Sequence, residues 1–275
     1  MATRSRLKIG IQGDAEVKSG SLACVGLGMT MGAHLAPRAR SFIEEADTVF
    51  VAASDPLVEL WVQQMHVDVR SLQPYYAEGK SRNESYEQMV DAMLELVREG
   101  RRVCGAFYGH PGVFACVPHR AIDRARDEGF DAVMEAAVSA EDCLYADLGI
   151  DPGTYGCQHY EASQIMMYRR KIDPTAFLVL WQVGVAGDAT LSRLGTGAAH
   201  RKILLEILSS DYPSDHLVTM YEAATLPLAP PRIESIPLNE LVDADLRGQT
   251  TLVVPPSRPM ELNSEVASRL KKLEA

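Results

Sequence analysis

Three tyrosines and one arginine stand out as residues able to do chemistry. Tyr76, Arg82 and Tyr86 fall within the run from Tyr75 to Val90, and Tyr108 opens the turn Tyr108-Gly109-His110-Pro111-Gly112-Val113-Phe114. A phenol ionises near ~10, and an adjacent guanidinium lowers an acidic group by roughly 1 to 3 units, so such a set could supply a general base. Ser81 and Glu84 have the S-x-x-E spacing of a capping box, which predicts a helix start. Tyr86, Met89, Val90, Met93, Leu94 and Val97 then recur at helical spacing, and Gly100 stops the helix. Arg82 lies one turn before Tyr86 on this apolar stripe, in a first turn where the helix dipole disfavours a cation by roughly 0.3 to 1 kcal/mol. A residue that breaks two local preferences invites a functional reading. The structural alternatives are that Arg82 reaches solvent or pairs with Glu78 or Glu84, and Tyr86 taken alone reads as a core tyrosine. The company of Tyr75 and Tyr76, phenols that need partners when buried, favours a site.

These side chains need a framework, and from Ser21 onward alternating apolar runs and amphipathic stretches predict an α/β fold. Strands are expected at 22–26, 48–52, 102–107 and 132–138. Helices are expected around Leu35, Ala39, Phe42, Ile43 and Ala46, and over 115–128 before Gly129. Ser139, with Asp142 three residues on, should cap a short helix that ends at Gly149. Strands at 177–183, 216–222, 232–236 and 250–254 and a helix at 198–209 complete a second unit. The expected organisation is therefore an N-terminal extension (1–20), two α/β domains (21–138 and 139–256) and a polar tail (257–275) with a helical segment at 266–273. Two glycine-bearing loops, Gly26-Leu27-Gly28-Met29-Thr30-Met31-Gly32 and the 108–114 turn, each join a strand to a helix, where open α/β sheets receive ligands. The first departs from GxGxxG spacing, so a dinucleotide site is not supported.

Composition narrows the partners. The 275 residues are 47% hydrophobic and 23% charged, which argues against disorder, and 27 Lys plus Arg against 37 Asp plus Glu leave a net charge of −10. Such a field disfavours nucleic acid and anionic membranes, and no apolar run approaches the ~20 residues that span a bilayer. The first 20 residues lack a secretory apolar core, so a cytoplasmic protein is expected. Five widely spaced cysteines without a CxxC pair and seven scattered histidines suggest reduced core thiols and no metal. P-loop, HExxH and GxSxG motifs are absent. The basic cluster Tyr168-Arg169-Arg170-Lys171 reads as a solvated face or, more sharply, as a dock for an acidic peptide.

The opening strand with its Gly loop, the YGHPGVF turn, Ser139-Ala140-Glu141 and the stretch 232–241 together resemble the tetrapyrrole methylase superfamily, over roughly 21–256. The resemblance implies two α/β domains with S-adenosylmethionine in the cleft between them and S-adenosylhomocysteine as product. The porphyrin enzymes of that superfamily usually carry GxGPGD in the Gly loop, and Pro and Asp are absent here. Tyr76, Arg82, Tyr86 and Tyr108 instead resemble the borosin branch, which methylates backbone amides of a ribosomal precursor peptide. Only about 19 residues follow Pro256, so the resemblance is to the split type, with the precursor in trans, a homodimer and, with two peptides, a heterotetramer. Carried over by that resemblance, the cofactor would meet Tyr108, His110, Val113 and Phe114 on one wall, Ser139 and Ala140 at the interdomain turn, and Gln182, Tyr221, Ala223, Thr250 and Thr251 on the other. Tyr76 is the first choice of base, Arg82 its electrostatic partner, and Tyr86 and Tyr108 would orient the amide. The alternatives are a tetrapyrrole C-methyltransferase and a peptide-docking subunit that has lost catalysis.

Overall fold

A computed structural model describes residues 19–53, 55–77, 79–193 and 195–274. The expected N-terminal extension lies outside these except for Ser19 and Gly20, as does Glu78, one of the anticipated partners of Arg82. The first half runs β1 (Ser21–Gly26), α1 (Pro37–Glu45), β2 (Thr48–Ala52), α2 (Pro56–Gln63), β3 (Val69–Ser71), α3 (Arg82–Arg98), β4 (Arg102–Phe107), α4 (Cys116–Asp127) and β5 (Asp131–Met134). Its strands form one sheet in the order β3-β2-β4-β1-β5, parallel throughout. Helices cover both faces, which is why these strands read as continuous apolar runs. Leu22 and Cys24 of β1 pack with Met89, Met93 and Leu94 of α3 and Val117 and Ala121 of α4. Their neighbours Ala23 and Val25 turn the other way, toward Ile43 of α1 and Val58 and Val62 of α2.

The second half continues with α5 (Ala140–Leu148), α6 (Pro152–Tyr155), β6 (Cys157–Glu161), α7 (Ala162–Met167), β7 (Phe177–Trp181), α8 (Ala198–Leu208), β8 (Leu217–Glu222), β9 (Arg232–Pro237), β10 (Thr251–Val254) and α9 (Ser264–Leu273). The second sheet has the order β6-β7-β10-β8-β9, with β6 and β7 parallel and the other pairs antiparallel. Leu178 and Leu180 of β7 pack under α7 and α8, while Val179 and Trp181 face Leu144 of α5. The Ser139 side chain accepts from Asp142 N–H and Asp142 returns the bond to the Ser139 backbone, so the expected cap forms in full.

The structure departs from the sequence reading at several points. The Ser81–Glu84 capping box is not made; Ser81 forms no side-chain cap, and the Arg82 N–H at the helix start donates instead to the Leu191 carbonyl at 2.9 Å. A tertiary carbonyl thus satisfies a different orphan donor of the first turn from those the box would have used. The strand expected to reach 138 ends at Met134, because β5 is an edge strand that leaves the sheet to enter the second half. The strand expected to reach 183 ends at Trp181, where Gln182 adopts a left-handed φ of 57° and begins a tight turn. Elements α2, β3, α6, β6 and α7 were not anticipated; β3 is three residues long, and β6 (CQHYE) is a half-buried edge strand without an apolar run. Among the described residues no helix is long and apolar enough to cross a membrane.

Candidate functional site

The two sheets meet along one seam. The Gly loop after β1 and the turn after β4 are hydrogen-bonded to each other as a two-residue bridge, Gly28 N–H to Gly109 O at 3.3 Å and Gly109 N–H to Gly28 O at 2.9 Å. The same Gly loop crosses to the segment after β8, since Thr30 Oγ1 donates to Ala224 O at 3.0 Å and Met31 N–H to Thr225 O at 2.9 Å. Glycine is required here. A Cβ on Gly26 would lie 2.3 Å from Gly109 O and 2.4 Å from Ala137 Cβ, and one on Gly28 would meet His34 Cβ at 2.1 Å with φ at +71°. Pairing of Leu252 with Leu180 and of Thr251 with Tyr221 sets the ends of β7 and β8 and the start of β10 along one edge of the second sheet. Gln182, Ala223, Thr250 and Thr251 therefore share that edge, which the Gly loop reaches.

Phe114 and Trp181 close the seam from opposite sides. Phe114 has a left-handed φ of 49°, is 47% exposed and sets its ring 5.1 Å from that of Trp181. Trp181 is fixed from behind by a chain that the sequence did not reveal. Its Nε1–H donates to His159 Nδ1 (3.1 Å), His159 Nε2 meets the Tyr145 hydroxyl (2.7 Å), and that hydroxyl donates to Glu141 (3.0 Å). Burial pushes the His159 imidazole down, with Glu141 opposing more weakly. The neutral ring accepts at Nδ1 and so carries its proton at Nε2. The turn itself is braced by Gly112 N–H to His110 Nδ1 (2.9 Å), with Val113 N–H on the His110 carbonyl.

The tyrosines do come together. Tyr76 and Tyr86 meet edge to face, ring centres 6.2 Å apart. The two phenols lie against each other, and Tyr108 and Cys116 face the pair. Burial raises all three phenols, Tyr76 most clearly, even though Tyr108 keeps 52% of its surface open to the seam. The lowered phenol anticipated for Tyr76 is thus not found, because burial and the neighbouring phenols raise it and the Arg82 charge acts on Tyr86 instead. Among these phenols it is Tyr86 on which the Arg82 charge acts to lower the pKa. Arg82 itself neither escapes to solvent nor pairs with Glu84. Its Nη2 lies 3.6 Å from Asp188 Oδ2 and its Nε donates to the Leu191 carbonyl at 3.3 Å.

Three of the expected second-wall residues have commitments of their own. Tyr221 is 1% exposed, its hydroxyl donates to Asp147 at 2.7 Å and its strand is paired on both sides, with Thr251 and Ile233. Thr250 donates its hydroxyl to the buried Glu222 (2.7 Å), which also pairs with Arg232 (2.9 Å) and Arg247 (3.3 Å), and Thr251 is buried in strand pairing. Ser139 is spent on its cap, while Ala140, in the first turn of α5, borders the Trp181 cluster. Asp188, Leu191, Trp181 and His159 were missed; the signal for Asp188 was an Asp-x-Thr-x-Ser turn pattern, and for the others there was none. Among the described residues no group of three His, Cys, Asp or Glu could hold a metal.

Comparison with known proteins bears on the fold and the family. The chain is 37% identical over 269 residues to the methyltransferase/ribosomally synthesized cyclic peptide dendrothelin A precursor of Dendrothele bispora, covering 96% of this chain and 64% of the relative. It is 39% identical over 260 residues to a methyltransferase/ribosomally synthesized type I borosin cyclic peptide precursor of Coprinopsis marcescibilis, covering 91% and 66%. The chain thus spans just under two thirds of these relatives, each of which names methyltransferase and precursor in a single protein. That finding overturns the expectation of a separate precursor acting in trans. A uroporphyrin-III-C-methyltransferase from Thermus thermophilus shares the fold at a TM-score of 0.60 and 19% identity, over 87% of this chain and 93% of that one. Residues 21–236 match the model of the Tetrapyrrole (Corrin/Porphyrin) Methylases, and the chain belongs to that family.

Proposed function

We propose that this chain is an S-adenosylmethionine-dependent methyltransferase that N-methylates backbone amides of a ribosomal peptide, as borosin-type enzymes do. The observation that carries the reading is the Tyr76–Tyr86 pair with Arg82 beside it, facing Tyr108 at the seam. The seam suits the cofactor. The open Phe114 face and the apolar Val113 and Ala140 would hold a nucleoside of low net charge, with Gln182 and Ala223 opposite. When bound, the cofactor supplies an electrophilic methyl group and leaves as S-adenosylhomocysteine.

The difficulty lies in the acceptor, because an amide nitrogen is delocalised into its carbonyl and is a poor nucleophile until its proton leaves. Tyr76 lies against Tyr86, and Tyr86 has the cation, so the pair would act as a relay. As Tyr76 accepts the amide proton it passes its own to a Tyr86 phenolate, and Arg82 stabilises that phenolate beforehand. Tyr108 donates to the amide oxygen as charge develops there. With both phenols raised above ~10, little phenolate exists at neutral pH, so turnover is slow and climbs with pH. Positioning then supplies most of the barrier reduction, up to ~7 to 11 kcal/mol in well-oriented systems.

The test joins the dendrothelin A precursor segment of the Dendrothele bispora relative to this chain in cis and follows the product by mass spectrometry. Stepwise additions of single methyl groups on backbone nitrogen are expected. Arg82→Ala and Tyr76→Phe should keep cofactor affinity and lose methylation, and near-normal mass shifts in either variant would refute the assignment.

A further inference from the structure

Arg82 is held by a segment that neither the motif reading nor the family assignment singles out. The Asp188 side chain is 1% exposed and gathers the chain around itself. Oδ1 accepts from Thr190 N–H (3.0 Å) and Thr190 Oγ1 (2.6 Å), and Oδ2 from Ser192 N–H (3.0 Å) and Arg193 N–H (2.9 Å). These bonds force a tight loop, at whose apex Leu191 takes a left-handed φ of 53°. A leucine there is strained and persists only where its surroundings over-determine it. The conformation turns the Leu191 carbonyl onto α3, where it accepts from both the backbone N–H (2.9 Å) and the Nε (3.3 Å) of Arg82. The second oxygen of Asp188 completes the clasp at 3.6 Å from Nη2. A buried carboxylate in one half of the molecule therefore contacts the cation of the other half and shapes the loop that binds it.

We propose that Asp188 is a positioning residue for the methyl-transfer site: through the loop 188–193 it holds the Arg82 guanidinium in place at the start of α3, one helical turn from Tyr86. The proposal rests on the functional reading above. The groups facing Tyr86 are Arg82 on its own helix, Tyr76 from the segment before α3, Tyr108 after β4 and Cys116 at the start of α4. Only Arg82 among them is cationic, so its orientation is the adjustable quantity. Two roles for Asp188 make opposite predictions. As an aligner, its removal frees the guanidinium to swing away and Tyr86 becomes less acidic. As a mere counter-charge that mutes Arg82, its removal makes Tyr86 more acidic.

The experiment labels the tyrosines of the chain with a fluorinated analogue, which brings phenol titration into a range where the fold persists, and follows Tyr86 by fluorine NMR, assigned by the loss of its signal in Tyr86→Phe. Asp188→Asn keeps one acceptor for Thr190 but loses the carboxylate oxygen that serves Ser192, Arg193 and Arg82. It should raise the Tyr86 midpoint by about one unit and lower kcat on the cis peptide on the order of 100-fold, with cofactor KM unchanged. Thr190→Val, which keeps the charge and loosens only its anchor, should move the midpoint the same way by less. A midpoint that falls in Asp188→Asn, or one that is unmoved in the folded variant, overturns the proposal. If Asp188→Asn does not fold, an unmoved midpoint in Thr190→Val overturns it. Because the titration needs no peptide, it decides this point even if the wild-type chain methylates nothing, an outcome that would refute the functional reading separately.

Discussion

Substituting Gly26 with alanine tests whether the two Gly loops form one packed unit. The new methyl group would sit 2.3 Å from the Gly109 carbonyl oxygen, 2.4 Å from Ala137 Cβ and 2.9 Å from Pro111 Cδ. Carbon contacts are comfortable at ~3.5 to 4.0 Å, so the neighbours must retreat by about 1 Å. The Gly109 carbonyl cannot retreat freely, because it accepts from Gly28 N–H in the loop bridge. Overpacking costs about 1 to 3 kcal/mol and weakening that hydrogen bond about 0.5 to 1.5 kcal/mol. The reduced entropy of the unfolded chain offsets about 0.4 to 1 kcal/mol. A net destabilisation of about 1 to 3 kcal/mol follows, read as a lower urea midpoint at unchanged slope. Gly32→Ala is the internal control. Its φ is +77° but a Cβ there meets nothing within 4 Å, so only the left-handed backbone cost of roughly 1 to 2 kcal/mol applies, less the same entropic offset. The decisive contrast is calorimetric. Gly26→Ala should also lose S-adenosylmethionine affinity, because the shifted bridge distorts the seam, whereas Gly32→Ala should keep it. A Gly26→Ala protein within about 0.5 kcal/mol of wild type and with normal cofactor binding would refute the packed-loop argument.

Other expectations follow from individual side chains. His159 is held neutral, so its folded pKa lies below its unfolded value of ~6.5 and the unfolded chain binds the extra proton; its contribution to stability is present above about pH 6.5 and falls as pH drops below it. Urea midpoints from about pH 8 to 5 should show this decline and His159→Gln should flatten it; an equally steep decline in the variant would count against a neutral His159 in the Trp181–Tyr145–Glu141 chain. Asp188 is held at about 2 because hydrogen bonds from Thr190, Ser192 and Arg193 outweigh its burial. Its contribution is full above its unfolded value of ~3.9 and lost as pH falls toward 2, so proteolysis at the 188–193 loop should stay slow at pH ~5 and rise in acid. Tyr221→Phe removes one hydrogen bond to the exposed Asp147 and should cost about 0.5 to 1.5 kcal/mol without changing cofactor affinity. A tenfold loss of affinity would show that the hydroxyl leaves Asp147 for the ligand. Methylation rate should rise with pH through the phenol titration, and a flat profile with chemistry rate-limiting would exclude a phenolate base.

Much of this framework is legible in the residues taken in order. Buried parallel strands announce themselves as apolar runs at Leu22–Val25, Val49–Val51 and Val103–Phe107, because helices cover both faces. The α3 stripe from Met89 to Val97, the Ser139–Asp142 cap and the strand-to-helix turn at Tyr108–Phe114 are equally local, and the structure has each where the pattern puts it. The tyrosine cluster was legible too, since Tyr76, Arg82 and Tyr86 lie within three helical turns. Tertiary structure alone decided what those residues touch. Periodicity records which face of an element is buried but not what it meets. Arg82 finds the Leu191 carbonyl 109 positions away, Phe114 finds Trp181 across the seam, and the side-chain cap expected of Ser81 does not form. The acidity of the phenols was decided the same way: the sequence supplied a cation beside a tyrosine, and the depth of burial, which only the packed fold sets, reversed the direction of the shift.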